Sequence, residues 1–216
     1  AALISTRDGK VNSIVKIVQA ESASMKTVEV SQEDLSRASL LKTPQQVLAV
    51  FEQPEYETDA SVISHSLCLA LDDVQDPGNL GTIIRLADWF GIEHIFCSPN
   101  TVDVYNPKTV QATMGGIARV KLHYTSLPDL IQSLKDMPVY GTFLDGENMY
   151  TQKLSSNGLI VMGNEGNGIG KEVEQLINRK LYIPNYPEER KPPDSLHVAI
   201  ATAVVCAEFR RQAASL

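Results

Sequence analysis

The sequence predicts an α/β fold in which helices cover both faces of a mostly parallel sheet, and three observations indicate it. Apolar runs of strand length alternate with helical segments from residue 67 onward. The run Leu67–Leu71 is apolar at every position, which is typical of a strand buried on both faces. Apolar residues make up 43% and charged residues 21% of the 216 residues, as in globular proteins.

Residues 1–51 are too short for a confident independent domain, and we interpret them as the end of a larger one. Two strands are predicted at 27–30 and 47–51, with a helix at 32–38 between them. Ser31 is a good N-cap for that helix. The acidic, proline-containing stretch that follows predicts a linker within residues 52–65.

The main domain is predicted to span residues 66–216. Its predicted strands are 67–72, 93–97, 138–144, 158–163 and 180–184, with a short extended segment at 117–123. Its predicted helices are 80–90, 107–114, 127–136, 170–179 and 195–212.

The segment from Asp73 to Arg85 is the most informative part of the chain. A Pro-Gly-Asn turn follows the first buried strand and opens a helix, so that Asn79 and Arg85 are predicted near the carboxyl edge of the sheet. Ligands bind at that edge in open α/β sheets. The alternative is an ordinary helix start, with Asn79 as its cap and Arg85 facing solvent.

Two further segments at strand ends carry polar residues. The loop 163–170 is glycine-rich, but its glycine spacing does not match a dinucleotide-binding fingerprint. Glu165 inside this loop would repel a phosphate, so we expect a neutral or cationic ligand. Ser195 and His197 begin the last predicted helix, where the alternative roles are an N-cap and a simple helix-start residue.

Bulk properties exclude several classes of function. The net charge of −7 argues against an extended nucleic-acid-binding surface, which normally leaves a basic footprint. The three cysteines are widely spaced in apolar stretches and are expected to be buried free thiols in the cytoplasm. The histidines lack metal-ligand spacing, so no metal is expected. No apolar run approaches the roughly 18 residues of a membrane span.

Taken in order, three segments resemble the three motifs of the SpoU (TrmH) family. They are Asp76–Arg85, Gly163–Gly166, and the pair Ile183-Pro184 and Ser195-Leu196. Members are S-adenosylmethionine-dependent RNA 2′-O-ribose methyltransferases of the SPOUT class. The resemblance covers roughly residues 66–213, and residues 1–51 resemble the end of the small RNA substrate-binding domain of many members, with its first part missing.

The resemblance implies a carboxyl-terminal deep trefoil knot that forms the methyl-donor site. It also implies a homodimer whose two subunits shape the active site, which would let local basic patches meet despite the acidic composition. Gly163, Ile183 and Leu196 would contact S-adenosylmethionine, largely through backbone atoms. The candidate RNA-facing charges are Lys108, Arg119, Lys121, Arg190, Lys191, Arg210 and Arg211.

The resemblance assigns the chemistry to Arg85, which would activate the ribose 2′-hydroxyl and be oriented by neighbours that include Asn79. Glu165 and Ser195 would complete the site. Two roles for Arg85 stay open, because a guanidinium stays protonated at ordinary pH. One is a deprotonated base, and the other is a cation that steadies the alkoxide and the adjacent phosphate.

Two departures from the family pattern stand out. The third motif usually contains Ser-Leu-Asn, whereas this chain has His197 in the asparagine position, and we expect its imidazole to keep the hydrogen-bonding role in the catalytic site. The loop 185–194 is also more charged and proline-rich than in many members. These departures leave a catalytically weakened RNA-binding relative as one alternative. A nucleotide-dependent oxidoreductase that uses the glycine-rich loop is another, which the glycine spacing disfavours. Ribosomal RNA is favoured over tRNA as the substrate, because the extra front domain suits members that act on ribosomal RNA.

Overall fold

The computed structural model describes residues 2–5, 26–39, 43–44, 46–51, 53–187 and 195–214. The chain divides into two compact units, Ala1–Glu55 and Tyr56–Leu216. In the part of the chain that the structure describes, no helix is long and apolar enough to cross a membrane.

The described part of the first unit is a three-stranded sheet with one helix. Strand β1 (Ala2–Ser5) lies between β2 (Lys26–Glu29), to which it is parallel, and β3 (Val47–Val50), to which it is antiparallel. Helix α1 (Gln32–Ala38) starts at the predicted cap, because the Ser31 hydroxyl accepts the Asp34 N–H.

The second unit contains a six-stranded sheet and its covering helices. Its strands are β4 (Leu67–Leu71), β5 (His94–Cys97), β6 (Lys121–Tyr124), β7 (Val139–Asn148), β8 (Gly158–Met162) and β9 (Arg179–Tyr182). Its helices are α2 (Val62–His65), α3 (Pro77–Trp89), α4 (Pro107–Ala112), α5 (Leu127–Ser133), α6 (Lys171–Glu174) and α7 (Val198–Ala213).

All pairings in this sheet are parallel, and the strand order is β6-β5-β4-β8-β7-β9. Leu67, Leu69 and Leu71 of β4 pack with residues of α3 and α7 on one face. Cys68 and Ala70 pack with residues of α2, α5 and α6 on the other. The predicted α/β class with helices on both faces is therefore confirmed, because a strand buried on both sides must be apolar at every position.

Several boundaries differ from the predicted ones. Helix α3 begins at Pro77 rather than at residue 80, because the Asp76 carboxylate accepts the Asn79 N–H and caps the helix. Helix α7 begins at Val198 rather than at residue 195, with His197 at the N-cap position. Neither Asn79 nor Ser195 is thus an N-cap.

Two segments near β9 also differ from expectation. The helix predicted at 170–179 ends at Glu174, since the Asn178 side chain bonds the Val139 N–H and the Met137 carbonyl and draws the chain to the start of β7. Strand β7 continues past the predicted residue 144 to Asn148, because it pairs with β9 on both sides of an irregularity between Thr142 and Glu147. Residues 62–65, within the range expected as linker, form α2 and bury Ile63.

Candidate functional site

A cavity of about 500 Å³ lies at the carboxyl ends of β8 and β9 and beside the middle of β7. This volume falls within the range of small-molecule sites, which is roughly 300–1,000 Å³. The loop after β8, the residues between β9 and α7, the middle of β7 and the start of α7 form most of it. The lining residues are Thr142, Phe143, Leu144, Met162, Gly163, Asn164, Glu165, Gly166, Asn167, Gly168, Ile169, Glu174, Tyr182, Ile183, Ser195, Leu196, Val198 and Ala201.

The loop after β8 folds tightly back on itself. The Asn164 N–H donates to the Gly168 carbonyl at 2.9 Å, and the Gly168 N–H donates to the Asn164 carbonyl at 2.8 Å. A Cβ atom at Gly163 would collide with backbone atoms of Gly168 and Ile169, and Gly168 has a φ of +69°. Position 163 therefore requires glycine because there is no room for a side chain, and position 168 favours glycine because its φ is positive.

Two hydrogen bonds tie this loop to the loop between β4 and α3. The Asn164 side-chain amide donates to the Asp73 carbonyl at 2.8 Å, and the Gly170 N–H donates to Asp72 Oδ2 at 2.7 Å. Burial raises the pKa of the Asp72 carboxyl, the bond from Gly170 opposes the shift, and nearby Asp73 adds to it. Hydrogen bonds therefore connect the loop that leads into the first motif with the loop that contains the second motif.

Glu165 connects the same loop to the start of α7. Its Oε1 accepts the Val198 N–H at 3.1 Å and lies 3.2 Å from His197 Nε2. A carboxylate at a helix N-terminus is favoured by the helix dipole and satisfies one of the free N–H groups there. Its side chain remains 41% exposed, so the carboxylate is accessible from the cavity.

The structure brings together five of the eight predicted site residues as cavity lining: Gly163, Glu165, Ile183, Ser195 and Leu196. His197 does not line the cavity, but it reaches the site through its contact with Glu165.

Asn79 and Arg85 lie on α3 and do not line the cavity of their own chain. Asn79 is buried in the first turn of the helix, while Arg85 is exposed. Within the described ranges, the Arg85 guanidinium makes no ion pair or hydrogen bond. The cavity and Arg85 are therefore distinct features of one chain.

Three of the seven basic side chains predicted to face RNA have partners in the part of the chain that the structure describes. Arg119 forms a bidentate pair with Asp88 at 2.6–2.7 Å, and Arg210 donates to the carbonyls of Phe90 and Gly91. Arg211 pairs with Glu208. Arg190 and Lys191, with most of the predicted loop 185–194, lie outside the described residues.

Sequence reasoning missed the contributions of Asn164, the Asp72–Asp73 pair and the middle of β7. The acidic pair and Asn164 stand just beyond buried strands, which is the same signal that singled out Gly163 and Glu165. No comparable signal marks Thr142–Leu144, because this segment lies inside a strand and faces the cavity only through the pairing of β7 with β8 and β9.

The site suits an uncharged or cationic organic molecule. Two carboxylates, Glu165 and Glu174, stand in the lining together with backbone groups and apolar side chains such as Leu196. Glu174 is paired with Lys180 at 2.6 Å, which leaves Glu165 as the more available negative charge. No group of three or more potential metal ligands occurs among the residues that the structure describes.

Comparison with known protein families gives a match over most of the chain. The model of the SpoU rRNA Methylase family matches residues 66–207. The 23S rRNA (guanosine(2553)-2′-O)-methyltransferase RlmP of Bacillus subtilis is 32% identical over 183 residues, which are 83% of this chain and 71% of that protein. An uncharacterized tRNA/rRNA methyltransferase of Synechocystis is 31% identical over 150 residues, and the match covers 53% of that relative.

Solved structures give the same result. A putative RNA methyltransferase of the TrmH family from Porphyromonas gingivalis superposes with a TM-score of 0.79 at 37% identity, covering 98% of this chain and 82% of that one. The AdoMet-bound rRNA methyltransferase from Sinorhizobium meliloti superposes with a TM-score of 0.80 at 30% identity, covering 97% and 79%.

Proposed function

The chain belongs to the SpoU rRNA methylase family and is an RNA 2′-O-ribose methyltransferase, and we propose that it binds S-adenosylmethionine in the cavity and methylates ribosomal RNA. The observation that carries the proposal is the cavity itself, with its close-packed glycine loop and accessible carboxylate. S-adenosylmethionine, when bound, supplies an electrophilic methyl group on a positively charged sulfur.

The residues of the cavity fit this donor in size, charge and hydrogen bonding. A volume of about 500 Å³ accommodates a nucleoside-sized ligand. The absence of a side chain at Gly163 lets backbone groups approach the ligand closely. Glu165 adds a negative charge that favours a sulfonium and disfavours a phosphate. We assign donor binding to Gly163, Ile183 and Leu196, with Ser195 and Glu165 completing the site.

Arg85 is proposed to act on the ribose. Of its two open roles, a cation that steadies the developing alkoxide and the neighbouring phosphate agrees better with guanidinium chemistry, since arginine is not deprotonated in proteins. An exposed guanidinium without a partner in the described chain is free to bind an RNA phosphate. Asn79 would support it from the first turn of α3.

A homodimer would reconcile the position of Arg85 with that of the cavity. Because Arg85 does not line the cavity of its own chain, the Arg85 of a second copy can reach this cavity.

We also propose the deep trefoil knot for the carboxyl-terminal part, an RNA-binding role for residues 1–51, and a cytoplasmic location. The separate compact unit Ala1–Glu55 supports a distinct role for the front part of the chain.

Substitution of Arg85 tests the proposed chemistry. Arg85→Ala should lower methyl transfer by at least about 100-fold, because one positioned charge at a reacting oxygen contributes that much. Donor affinity, measured by calorimetry, should stay within about twofold, since Arg85 is outside the cavity. Lys135→Ala, which removes an exposed cation on the turn after α5, is the control and should retain normal turnover. Normal turnover of the Arg85 variant would remove Arg85 from the mechanism.

The RNA target is identified by mapping 2′-O-methyl groups in ribosomal RNA and tRNA from cells with and without the gene. We expect a single ribosomal nucleotide to lose its methyl group. The alternative of a catalytically weakened RNA-binding relative is disfavoured by the similarity to named methyltransferases, and it predicts no change in either map. Membership of a methyltransferase family also argues against the nucleotide-dependent oxidoreductase alternative.

A further inference from the structure

The second compact unit begins with a short strap, residues 56–60, that leads to α2 and contains no helix or strand. Residues 57–59 are exposed, whereas Tyr56 is half-buried and Ala60 packs against the core cluster that contains Ile63. The two ends of the strap are therefore attached to the unit in different ways. Ala60 is held by apolar contacts, and Tyr56 lies against an imidazole.

Tyr56 attaches the strap to the edge of the sheet. Strand β6 is an edge strand, and the ring centroid of its His123 lies 6.0 Å from that of Tyr56. The phenol also lies near the loop after β5, since burial raises the pKa of Tyr105 and nearby Tyr56 adds to this shift. His123 is only 3% exposed although it stands on an edge strand, so Tyr56 is part of its cover.

His123 forms a close pair with His94 on the neighbouring strand. Phe96 pairs with His123 in the register of β5 and β6, so His94, two residues earlier, shares the same face. His94 Nδ1 lies 3.0 Å from His123 Nε2, and the two rings stack with 12° between their planes. One nitrogen must donate and the other accept, and only an unprotonated nitrogen accepts. The pair cannot take two protons in this arrangement.

Even one proton on His123 would lack a partner in this arrangement. Its Nδ1 is buried and has no hydrogen-bond partner among the described residues, and a buried charge is costly without one. Among these residues, the charged groups that face the pair are Lys121, which disfavours protonation, and Glu93 and Asp59, which favour it at His94. The backbone of Tyr56 also contacts the His123 imidazole. Hydration of a charged His123 therefore requires this end of the strap to move.

We propose that the histidine pair is a pH-operated catch, which holds Tyr56 while both imidazoles are neutral and releases it when His123 takes up a proton. Ala60 stays in place, because its apolar contacts do not titrate. Release therefore extends the free connection between the two compact units as far as Ala60. A longer flexible connection gives the front unit a wider reach. The inference does not depend on the proposed methyl transfer.

The competing event in acid is the opening of the whole β5–β6 edge. Two side chains distinguish the two events. Phe96 is fully buried and stacks on His123 with centroids 5.0 Å apart, so it becomes accessible only if the edge opens. Tyr56 lies above the pair, so it becomes accessible when the strap alone is released.

Hydroxyl-radical footprinting of the full-length chain, read by mass spectrometry, measures both side chains at about pH 7.5 and about pH 5.5. The oxidation rate of Tyr56 is divided by that of Tyr150, a ring on another part of the unit that is 49% exposed. This ratio should rise by about twofold in acid, because a half-buried ring becomes exposed. The oxidation rate of Phe96 should stay low at both pH values.

Substitutions of His123 test the origin of the response. His123→Phe keeps a ring between Tyr56 and Phe96 but cannot be protonated, so the Tyr56 ratio should be the same at both pH values. His123→Gln keeps a hydrogen bond to His94 and should give the same result, which provides a second test if one variant fails to fold. His65→Asn removes an exposed histidine on α2 and should retain the full rise.

Three outcomes would overturn the inference. A Tyr56 ratio that is the same at both pH values in the unmodified protein would show that the pair does not release the strap. A parallel rise of Phe96 would show that the whole edge opens. A rise that persists in a folded His123 variant would place its origin elsewhere. None of these measurements involves RNA or the methyl donor, so they leave the proposed function to its own tests.

Discussion

Glu165 shows how one side chain can serve both the fold and the site. Its Oε1 accepts the N–H of Val198 at the start of α7, and the same oxygen lies 3.2 Å from His197 Nε2. Because the carboxylate also lines the cavity, a single group links the loop after β8, the start of α7 and the cavity surface.

Replacement of Glu165 by alanine should therefore affect two measurements at once. The free energy of unfolding should fall by about 1 kcal/mol, because the first turn of α7 loses an acceptor and a favourable charge. Affinity for S-adenosylmethionine, measured by calorimetry, should fall as well.

The matched comparison for Glu165 is His197→Ala, which removes only the imidazole and leaves the bond to Val198. This substitution should lower the free energy of unfolding by less than Glu165→Ala does. The side chains of His197 and Glu165 are both more than 40% exposed, and exposed ion pairs contribute little to stability. If Glu165→Ala and His197→Ala lower the free energy of unfolding equally, the bond from the Val198 N–H to Glu165 does not stabilise the start of α7.

Gly163 is constrained by space rather than by its backbone conformation. An added Cβ would collide with backbone atoms of Gly168 and Ile169, and backbone cannot move aside as a flexible side chain can. Gly163→Ala should lower the free energy of unfolding by about 1–3 kcal/mol and weaken donor binding by at least about tenfold.

The comparison variant in the same loop is Gly166→Ala. There the nearest atom to an added Cβ is Asn164 Oδ1 at 3.4 Å, so the melting temperature should fall less than in Gly163→Ala. If Gly163→Ala and Gly166→Ala have the same melting temperature, close packing at Gly163 does not shape the loop.

At the level of elements, the edge of the sheet contains a histidine pair that joins β5 to β6. His94 Nδ1 lies 3.0 Å from His123 Nε2, and the His123 ring stacks against Phe96 with centroids 5.0 Å apart. Burial lowers the pKa of both imidazoles. For His123 the adjacent His94 and Lys121 add to the shift, and a backbone contact with Tyr56 opposes it.

The lowered pKa values predict acid sensitivity of this sheet edge. The imidazoles have a pKa of about 6.5 in the unfolded chain and a lower pKa in the folded chain. At any pH between these two values, the unfolded chain binds more protons than the folded chain. The free energy of unfolding should therefore fall as the pH drops below about 6.5. Around His94 the charged groups are Lys121, which lowers its pKa further, and Glu93 and Asp59, which raise it.

Denaturant unfolding between about pH 7.5 and pH 5.5 measures this dependence. His123→Phe, which keeps a ring against Phe96, should flatten the curve. His65→Asn, at an exposed histidine on α2, is the control and should retain the full dependence. A His123 variant with the same pH dependence as the unmodified protein would exclude this pair as its origin.

Helix boundaries illustrate where local sequence signals were sufficient and where they were not. The Ser31 cap was predicted correctly, because an N-cap serine bonds a backbone N–H of the same turn. The start of α3 was misplaced, since Asp76 and Pro77 together satisfy the rules for a cap and a first turn better than Asn79 does. The end of α6 depended on Asn178 bonding the distant Val139, which no local pattern reveals.

For the molecule as a whole, the order of strands decides the site. Strand β4 pairs with β8, although the segments are far apart in the chain, and this places the loop after β4 beside the loop after β8. The bond from Asn164 to Asp73 spans 91 positions of sequence. Strand-end loops could be proposed from the sequence as binding loops, but which of them meet depends on the pairing.

The local pattern of residues was enough to predict the α/β class, the buried strands and the polar residues at strand ends, because apolar runs, caps and turns act over a few neighbouring residues. Only the folded chain decided that Glu165 contacts the start of α7, that Thr142–Leu144 line the cavity, and that Arg85 stays outside it. The physical reason is that these relations arise from packing and strand order, which join residues that have no common local signal.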